Sequence, residues 1–350
     1  MNHNSPVSPC PLTHPGSPLP LASSRRVLTA TQLRAHGVGA AQIEEQCGPG
    51  GAWQQLLPGV FLLHPGPPTS EERLHAVLLY ARRPPGPGAV PQQAPRPAGD
   101  DADLPYEEAM ITGLAALTLH GFPSAPPLLA LDRIDVLVPR TRRLRSTGCA
   151  RIVRSAALPR PRQITGVHVA PVPRALADAV AQLNDAGSVR LLLTDAVRGG
   201  HCEPTAILRE LDQARLLPRP YVADAVESLL AEGRAVAEDR LFRMVREFGL
   251  PDPVWNVDLR LPGGPHLGGV DAYWPDQAVA VELDMRAGGD AEWSEAVRRR
   301  EHLEQLGITV VHVTPRKLRE GLDQQATVVR TALMAAVDRE PAAYVVVLPR

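Results

Sequence analysis

A chain of 350 residues, 44% of them hydrophobic, is long enough for two or three domains with buried cores. The 37 basic residues nearly balance the 38 acidic ones, so a net charge of −1 gives no overall field that attracts a polyanion. The four cysteines are scattered without a CxxC pair, which argues against a zinc site or a disulfide framework and favours a reducing cytoplasm.

Two low-complexity segments divide the sequence. Residues 1–24, rich in Pro, Ser and His, are predicted to be a disordered tail, and residues 82–104, rich in Pro and Gly, a linker. No apolar run approaches the roughly 20 residues that a membrane-spanning helix needs, so no membrane partner is expected.

Residues 25–81 are predicted to form a compact winged-helix-like unit. The stretch "TATQLRAHG" predicts a helix capped by Thr29 or Thr31 and stopped by Gly37, and "GAAQIEEQ" predicts a second short helix. The stretch "AWQQLLPGVFLLHPG" alternates around a Pro-Gly turn, as a two-stranded wing does. A small α/β unit without a ligand is the alternative.

Residues 105–232 are predicted to be a mixed α/β domain. The stretch "YEEAMITGLAALTLHGF" has helical spacing, "RIDVLVP" and "ARIVRS" have strand composition, and "GVHVAPVPRALADAVAQL" predicts a strand that leads into a helix. The domain contains neither a phosphate-binding Gly loop nor a nucleophile elbow.

The same domain holds a local excess of positive charge, because residues 136–177 contain nine arginines and no Asp or Glu. Such a cluster neutralises phosphates and releases counterions, which is the sequence-independent part of nucleic-acid binding. DNA is therefore the expected partner, and a solvated surface balanced by acids elsewhere is the alternative. The candidate nucleic-acid-binding residues are Arg140, Arg142, Arg143, Arg145, Arg151 and Arg154.

Residues 235–350 are predicted to form a third domain with the element order α, β, β, β, α, β, α, β. Its "GGVDAYWPDQAVAVELD" stretch predicts a hairpin with a four-residue loop from Pro275 to Ala278. The apolar pairs of that register place Val270 and Ala272 on one face. Asp271 then lies opposite Glu282, with Asp284 two residues further along on the same face.

Three converging carboxylates predict a metal site. Close carboxylates repel one another unless a cation relieves them, and carboxylate oxygens suit Mg²⁺ or Mn²⁺. Asp271 and Glu282 are the candidate metal ligands. The alternative is a solvated hairpin edge with an arginine–carboxylate network, in which Glu238 or Asp284 pairs with Arg299 or Arg300.

The acids form part of an ordered set of motifs between residues 235 and 320. This set resembles the PD-(D/E)xK nuclease hairpin, in the Vsr-like endonuclease-fold version common in actinobacteria. Farther upstream, "LTATQLRAHGV", "LLPGVFLL" and "ITGLAALTLHGF" resemble AbiEi-type antitoxins over about residues 25–200. The nuclease-like set consists of Glu238, "GLPDP", Asp271, Glu282, Asp284, Arg299, Leu303 and "GITVVHVT".

The resemblance implies a restriction-endonuclease-like α/β domain and metal-dependent phosphodiester hydrolysis. Asp284 stands where the standard motif has lysine, and the only lysine of the chain is Lys317. The alternative is therefore an antitoxin-like regulator or phage-defence protein with an inactive nuclease fold, whose partner is a toxin or a second copy. The catalytic candidates are Asp271, Glu282, Asp284, Glu238, Arg299 and Arg300. Arg299 and Arg300 both fall near the apolar side of their predicted helix, so both are expected to point toward the sheet.

Overall fold

The computed structural model describes residues 26–82, 109–285, 290–336 and 344–350, with the backbone alone over 290–296. The predicted tail at 1–24 and the predicted linker at 82–104, apart from its first residue, lie outside the described residues. The chain divides into two compact units, Met1–Ala179 and Val180–Arg350. Both contain helices and sheets, so the prediction of an α/β protein with several domains is confirmed at that level.

The described part of the first unit starts with a strand, two short helices and a hairpin. Thr29 caps the first helix and forms a capping box with Gln32, and Gly37 ends that helix with a φ of 82°. The three strands form an antiparallel sheet in the order β1-β3-β2. The elements are β1 (Val27–Thr29), α1 (Ala30–Ala35), α2 (Ala40–Cys47), β2 (Gln54–Leu57) and β3 (Val60–Leu62).

A five-stranded mixed sheet completes the first unit, in the order β6-β5-β4-β8-β7. A further helix, α3 (Ser70–Ala81), packs against β1 and β5 and so joins the two sheets of the unit. The remaining elements are β4 (Met110–Thr112), α4 (Gly113–Leu119), a 3-10 helix (Leu128–Ala130), β5 (Ile134–Pro139), β6 (Ala150–Ser155), β7 (Arg162–Ile164), β8 (Val167–Val169) and α5 (Val172–Val180).

One predicted helix is in part a strand. The helical spacing of "YEEAMITGLAALTLHGF" predicts a helix throughout. Among the residues of this stretch that the structure describes, Met110–Thr112 forms β4 and only Gly113–Leu119 is an α-helix. β4 pairs with β5 on one side and β8 on the other, and all three of its residues are buried. Sheet pairing therefore overrides the local preference, and Gly113 turns the chain from strand to helix with a φ of 62°.

The second unit contains the sheet β12-β11-β10-β9-β13. Its elements follow the predicted order, with one additional short helix, α10. They are α6 (Ala186–Arg198), α7 (Pro204–Gln213), α8 (Pro220–Glu247), β9 (Val254–Arg260), β10 (His266–Trp274), β11 (Val279–Leu283), α9 (Asp290–Gln305), β12 (Thr309–Val313), α10 (Pro315–Glu320), α11 (Leu322–Ala336) and β13 (Val346–Pro349).

Two cores lie on the two faces of this sheet. On one face, Trp274 and Val281 pack with Leu241 of α8 and Val329 of α11. On the other face, Tyr273 packs among residues that include Leu303 of α9. We call these the α8 core and the α9 core. Burial in the α9 core raises the pKa of the Tyr273 phenol.

Helix α8 runs without a break through residues 232–235, where the sequence predicts a domain boundary. Gly233 lies at this position and is buried in the middle of the helix. A Cβ at Gly233 would lie 2.5 Å from Cγ of Pro204, the first residue of α7. The glycine therefore permits close helix packing, which the sequence pattern does not distinguish from a helix end.

We expect the substitution Gly233→Ala to destabilise the second unit by up to about 2 kcal/mol. The alanine favours helix by about 1 kcal/mol, but the clash with Pro204 costs about 1–3 kcal/mol because that contact is buried. The control is Gly187→Ala in α6, where the added Cβ meets Asp185 only at 3.4 Å. In urea denaturation the control should gain about 0.5–1 kcal/mol, and a gain at both positions would contradict the packing role of Gly233.

Within the described residues, none of the helices has the length and apolar character needed to cross a membrane.

Candidate functional site

The acidic hairpin of the second unit has the predicted register. Ala272 pairs with Val281 and Trp274 with Val279, and all four side chains belong to the α8 core. Ala278 closes the four-residue loop with a φ of 48°. The alternation of apolar residues is therefore sufficient to select this pairing, since a shift by one residue would expose the whole set.

The alternation of side chains breaks at Asp271. The predicted register places Val270 on the face of Ala272, but Val270 packs in the α9 core. Asn256 of β9 lies opposite Asp271, between the pairs Val270–Val257 and Ala272–Trp255, and has a φ of 49°. The prediction for Val270 is wrong because a left-handed residue in the neighbouring strand changes the local twist.

Asp271 is buried and turns toward α8. Its Oδ1 accepts a hydrogen bond from Nη2 of Arg234 at 2.6 Å, and its Oδ2 accepts one from the backbone N–H of Leu283 at 2.6 Å. Arg234 also pairs with Glu238, one turn further along α8, at 2.8 Å. Arg234 therefore links two of the predicted catalytic carboxylates through one guanidinium.

Glu282 is also buried but interacts with α9. Arg299 donates through Nη2 to Oε1 of Glu282 and to the carbonyl oxygen of Gly269, the latter at 2.7 Å. His312 lies beside Glu282 on the parallel strand β12, with its Nδ1 3.6 Å from Oε2 of Glu282. Glu282 and Asp271 are thus adjacent in the hairpin but have different arginine partners on different helices.

The other predicted catalytic residues lie around these pairs. Asp284 follows the end of β11, is half-buried, and donates its amide N–H to the carbonyl of Val313 at 3.0 Å. Arg300 is exposed and pairs with Glu304 along α9 at 2.8 Å. The sequence predicts that both Arg299 and Arg300 point toward the sheet, and for Arg300 that prediction is wrong.

The acids are therefore divided between two ion-pair groups. Asp271 and Glu238 share Arg234, and Glu282 binds Arg299, so the expected convergence of three carboxylates on one face does not occur. An arginine–carboxylate network is present, although its pairs differ from those expected. Across the part of the chain that the structure covers, no group of three or more His, Cys, Asp or Glu side chains is placed to hold a metal ion.

The residues as placed do not fit a divalent cation. Carboxylate oxygens are suitable donors for Mg²⁺ or Mn²⁺, but each buried carboxylate already has a guanidinium donor, directed from a different face of the sheet. An ion that bound both Asp271 and Glu282 would have to displace Arg234 and Arg299.

Sequence reasoning missed Arg234, His312 and the role of the Gly268–Gly269 pair. A Cβ at Gly268 would lie 2.6 Å from Nε of Arg299, and a Cβ at Gly269 would overlap the guanidinium of Arg350. The two glycines therefore make room for two arginines. The Gly-Gly pair before Asp271, and the helical i, i+4 spacing of Arg234 and Glu238, were the available signals.

We expect Gly268→Ala to destabilise the second unit by about 2–4 kcal/mol. The residue has a φ of 106°, which strains an L-residue, and the added methyl group would push Arg299 away from Glu282. Gly263→Ala is the control, because it has a φ of 63° but no neighbour within 4 Å of its Cβ. Equal losses in urea denaturation at the two positions would show that strain alone, without Arg299, accounts for the effect.

The arginine-rich segment of the first unit is the connection between β5 and β6, residues 140–149, which we call the β5–β6 connection. It runs beside α3, because Arg142 donates to the carbonyl of Ala81 at 2.8 Å and Tyr80 donates to the carbonyl of Arg145 at 2.7 Å. It also passes the β2–β3 hairpin, since a Cβ at Gly148 would lie 3.2 Å from the Leu57 side chain.

The six predicted nucleic-acid-binding arginines have two kinds of environment. Arg142 supports the connection, Arg154 donates to backbone carbonyls within it, and Arg151 forms an ion pair with the buried Asp135. The other three are exposed and form no ion pair with any carboxylate in the described residues. These three are Arg140, Arg143 and Arg145.

Helix α2 presents acids to solvent. Glu44 and Glu45 lie on its outer side and are both exposed, while Ile43 packs inward. Carboxylates repel phosphates, so this helix is poorly suited to lie in a DNA groove. Positive charge in the first unit is therefore carried by the β5–β6 connection rather than by α2.

Comparisons with protein-family models, with curated proteins and with solved structures find no match to this chain. Its function is therefore inferred from the contacts and charges of its own side chains.

Proposed function

We propose that this chain is a DNA-binding protein that binds the phosphate backbone through the β5–β6 connection of its first unit. The main support is the exposure of Arg140, Arg143 and Arg145 on one short segment, without carboxylate partners in the described residues. Guanidinium groups bind phosphate oxygens through two parallel hydrogen bonds, so such a segment suits a polyphosphate backbone.

The neighbouring elements support a DNA-binding unit of the winged-helix type. Two short helices and a hairpin stand in the order helix, turn, helix, wing, and β1 pairs with β3 beside the wing. The hairpin β2–β3 lies next to the β5–β6 connection through the Gly148–Leu57 approach. We infer that the wing and the connection contact the same duplex, and that α2, with Glu44 and Glu45, stays outside the groove.

The test is the salt dependence of binding to a fluorescently labelled duplex, measured by anisotropy. Three arginine–phosphate contacts should give a slope of log K against log salt of about −3, because each contact releases about 0.9 counterions. A flat salt dependence, or no binding at low salt, would refute the proposal.

For the second unit we propose a nuclease-type domain, similar to PD-(D/E)xK folds, that does not cut DNA. The protein would then be a regulator of antitoxin type. The pairing of Asp271 with Arg234 and of Glu282 with Arg299 favours this role, because it occupies the carboxylates that a nuclease would use. Asp284 stands where the standard motif has the lysine that orients the attacking water, and this replacement supports the same conclusion. A toxin or a second copy of the chain is the protein partner that such a regulator would have.

A metal-dependent endonuclease is the second candidate, and one observation favours it. Asp271 and Glu282 are buried charges on neighbouring strands of one hairpin, and apolar residues at these positions would fill the core at a lower desolvation cost. The test is incubation of supercoiled plasmid with the full chain and Mg²⁺, Mn²⁺ or EDTA, beside an Asp271→Ala/Glu282→Ala variant. Metal-dependent nicking that the variant lacks would establish the enzyme, whereas intact plasmid throughout supports the regulator.

A further inference from the structure

We propose that Arg234 and Arg299 take the place of a divalent cation at Asp271 and Glu282, so that the site is neutralised internally and binds no such ion. The proposal concerns the acidic hairpin alone and does not depend on DNA binding by the first unit. It follows from the ion pairing, the orientation and the further contacts of these four side chains.

Each of the two buried carboxylates has a guanidinium partner, although Arg234 also pairs with the less buried Glu238. Asp271 and Glu282 are 6% and 8% exposed, and a buried carboxylate needs a counter-charge. Arg234 supplies it for Asp271 and Arg299 for Glu282. A divalent ion would add two further positive charges beside two guanidinium groups, and like charges at such short range oppose binding.

The orientation of the carboxylates also opposes a shared ion. Both oxygens of Asp271 have donors, namely Arg234 on the α8 side and the N–H of Leu283. Glu282 binds Arg299, which comes from the α9 side. Mg²⁺ requires oxygens at about 2.1 Å in octahedral geometry, so both carboxylates would have to leave their arginines.

Further contacts hold both arginines in their positions. Glu238 holds Arg234 from the next turn of α8 at 2.8 Å. The Gly268 backbone leaves the space that the Arg299 side chain crosses, and the carbonyl of Gly269 accepts a hydrogen bond from the same guanidinium. The arginines are thus held by the fold itself as well as by the carboxylates.

The experiment compares thermal unfolding of the full chain in Mn²⁺ and in EDTA. The wild-type midpoint should be the same in both. An Arg234→Gln/Arg299→Gln variant keeps polar side chains without charge. In EDTA its unfolding midpoint should lie below that of the wild type, and Mn²⁺ should raise this midpoint. A rise of about 5 °C is expected when Mn²⁺ is at about 100 times its Kd.

Two further variants make the result specific. Adding Glu282→Gln to the double variant should abolish the response to Mn²⁺, and Arg300→Gln, which alters only the exposed pair with Glu304, should behave as the wild type. A folded double variant without a response to Mn²⁺ would overturn the proposal. So would a response of the wild type that Asp271→Asn removes.

If the double variant does not fold, calorimetric titration of the wild type with Mn²⁺ decides the question. No binding heat beyond that of dilution supports the proposal, and binding that Asp271→Asn abolishes contradicts it.

Discussion

Replacement of Arg140, Arg143 and Arg145 by alanine should weaken duplex binding by about 10²- to 10³-fold at 0.1 M salt. Each phosphate contact contributes about 0.9 to the slope of log K against log salt, which amounts to nearly tenfold at this concentration. The three side chains are exposed and form no ion pair with a described carboxylate, so their loss should leave the stability of the first unit unchanged. Anisotropy titrations at several salt concentrations measure both the affinity and the slope.

The matched control removes three exposed arginines from the second unit, Arg190, Arg209 and Arg243. Both triple variants change the net charge equally, so a difference between them reports position rather than charge. The control should retain most of the affinity and the slope of the wild type. Equal losses in the two variants would mean that overall charge, and not the β5–β6 connection, determines binding.

The substitution Arg299→Ala should destabilise the second unit by about 2–4 kcal/mol. Among the described residues, it leaves the buried Glu282 carboxylate with His312 as its remaining ion-pair partner, and a poorly compensated buried charge is costly. It also leaves the carbonyl of Gly269 without the bond that Arg299 donates. The shift of the urea midpoint at an unchanged m-value measures the effect.

Arg300→Ala is the natural comparison, because it removes the neighbouring arginine of the same helix. Arg300 pairs with Glu304 at the surface, and exposed pairs of this spacing contribute about 0.3–0.5 kcal/mol. Arg299→Ala should therefore lower the free energy of unfolding several times more than Arg300→Ala does. Similar small losses from both substitutions would show that the pair between Arg299 and Glu282 is not important for the fold.

Sequence patterns predict the elements of the second unit well, because apolar alternation and helix spacing are strong there. The hairpin pairs Ala272–Val281 and Trp274–Val279 follow from the alternation alone. The direction of Asp271 could not be predicted in this way. It depends on the left-handed conformation of Asn256 in the neighbouring strand, which no pattern within the hairpin reveals.

The sequence also does not reveal all the arginine partners of Asp271 and Glu282. Arg234 lies within α8, at the position where the sequence predicts a domain boundary, and the adjacent Gly233 instead accommodates Pro204. The apolar neighbours of Arg299 predict that it points toward the sheet, and its bond to Glu282 confirms this prediction. The same prediction fails for Arg300, because helical spacing alone does not separate adjacent positions at the edge of an apolar face.

In the first unit, the excess of arginine is visible in the sequence, but its distribution over the surface is not. Arg151 and Arg143 lie in the same arginine-rich segment without acidic residues. Arg151 nevertheless forms an ion pair with Asp135 on the neighbouring strand. Arg142 likewise anchors the β5–β6 connection to α3. Only the tertiary arrangement separates arginines that support the fold from those that face solvent.

Hydrogen–deuterium exchange of the full chain, with and without a saturating duplex, is the most direct test of DNA binding by the β5–β6 connection. We expect slower amide exchange over residues 140–146 and over the β2–β3 hairpin when DNA is bound, with little change in α2. Protection centred on Ala40–Cys47, or no protection of residues 140–146 under conditions where the duplex is bound, would contradict the proposed interface.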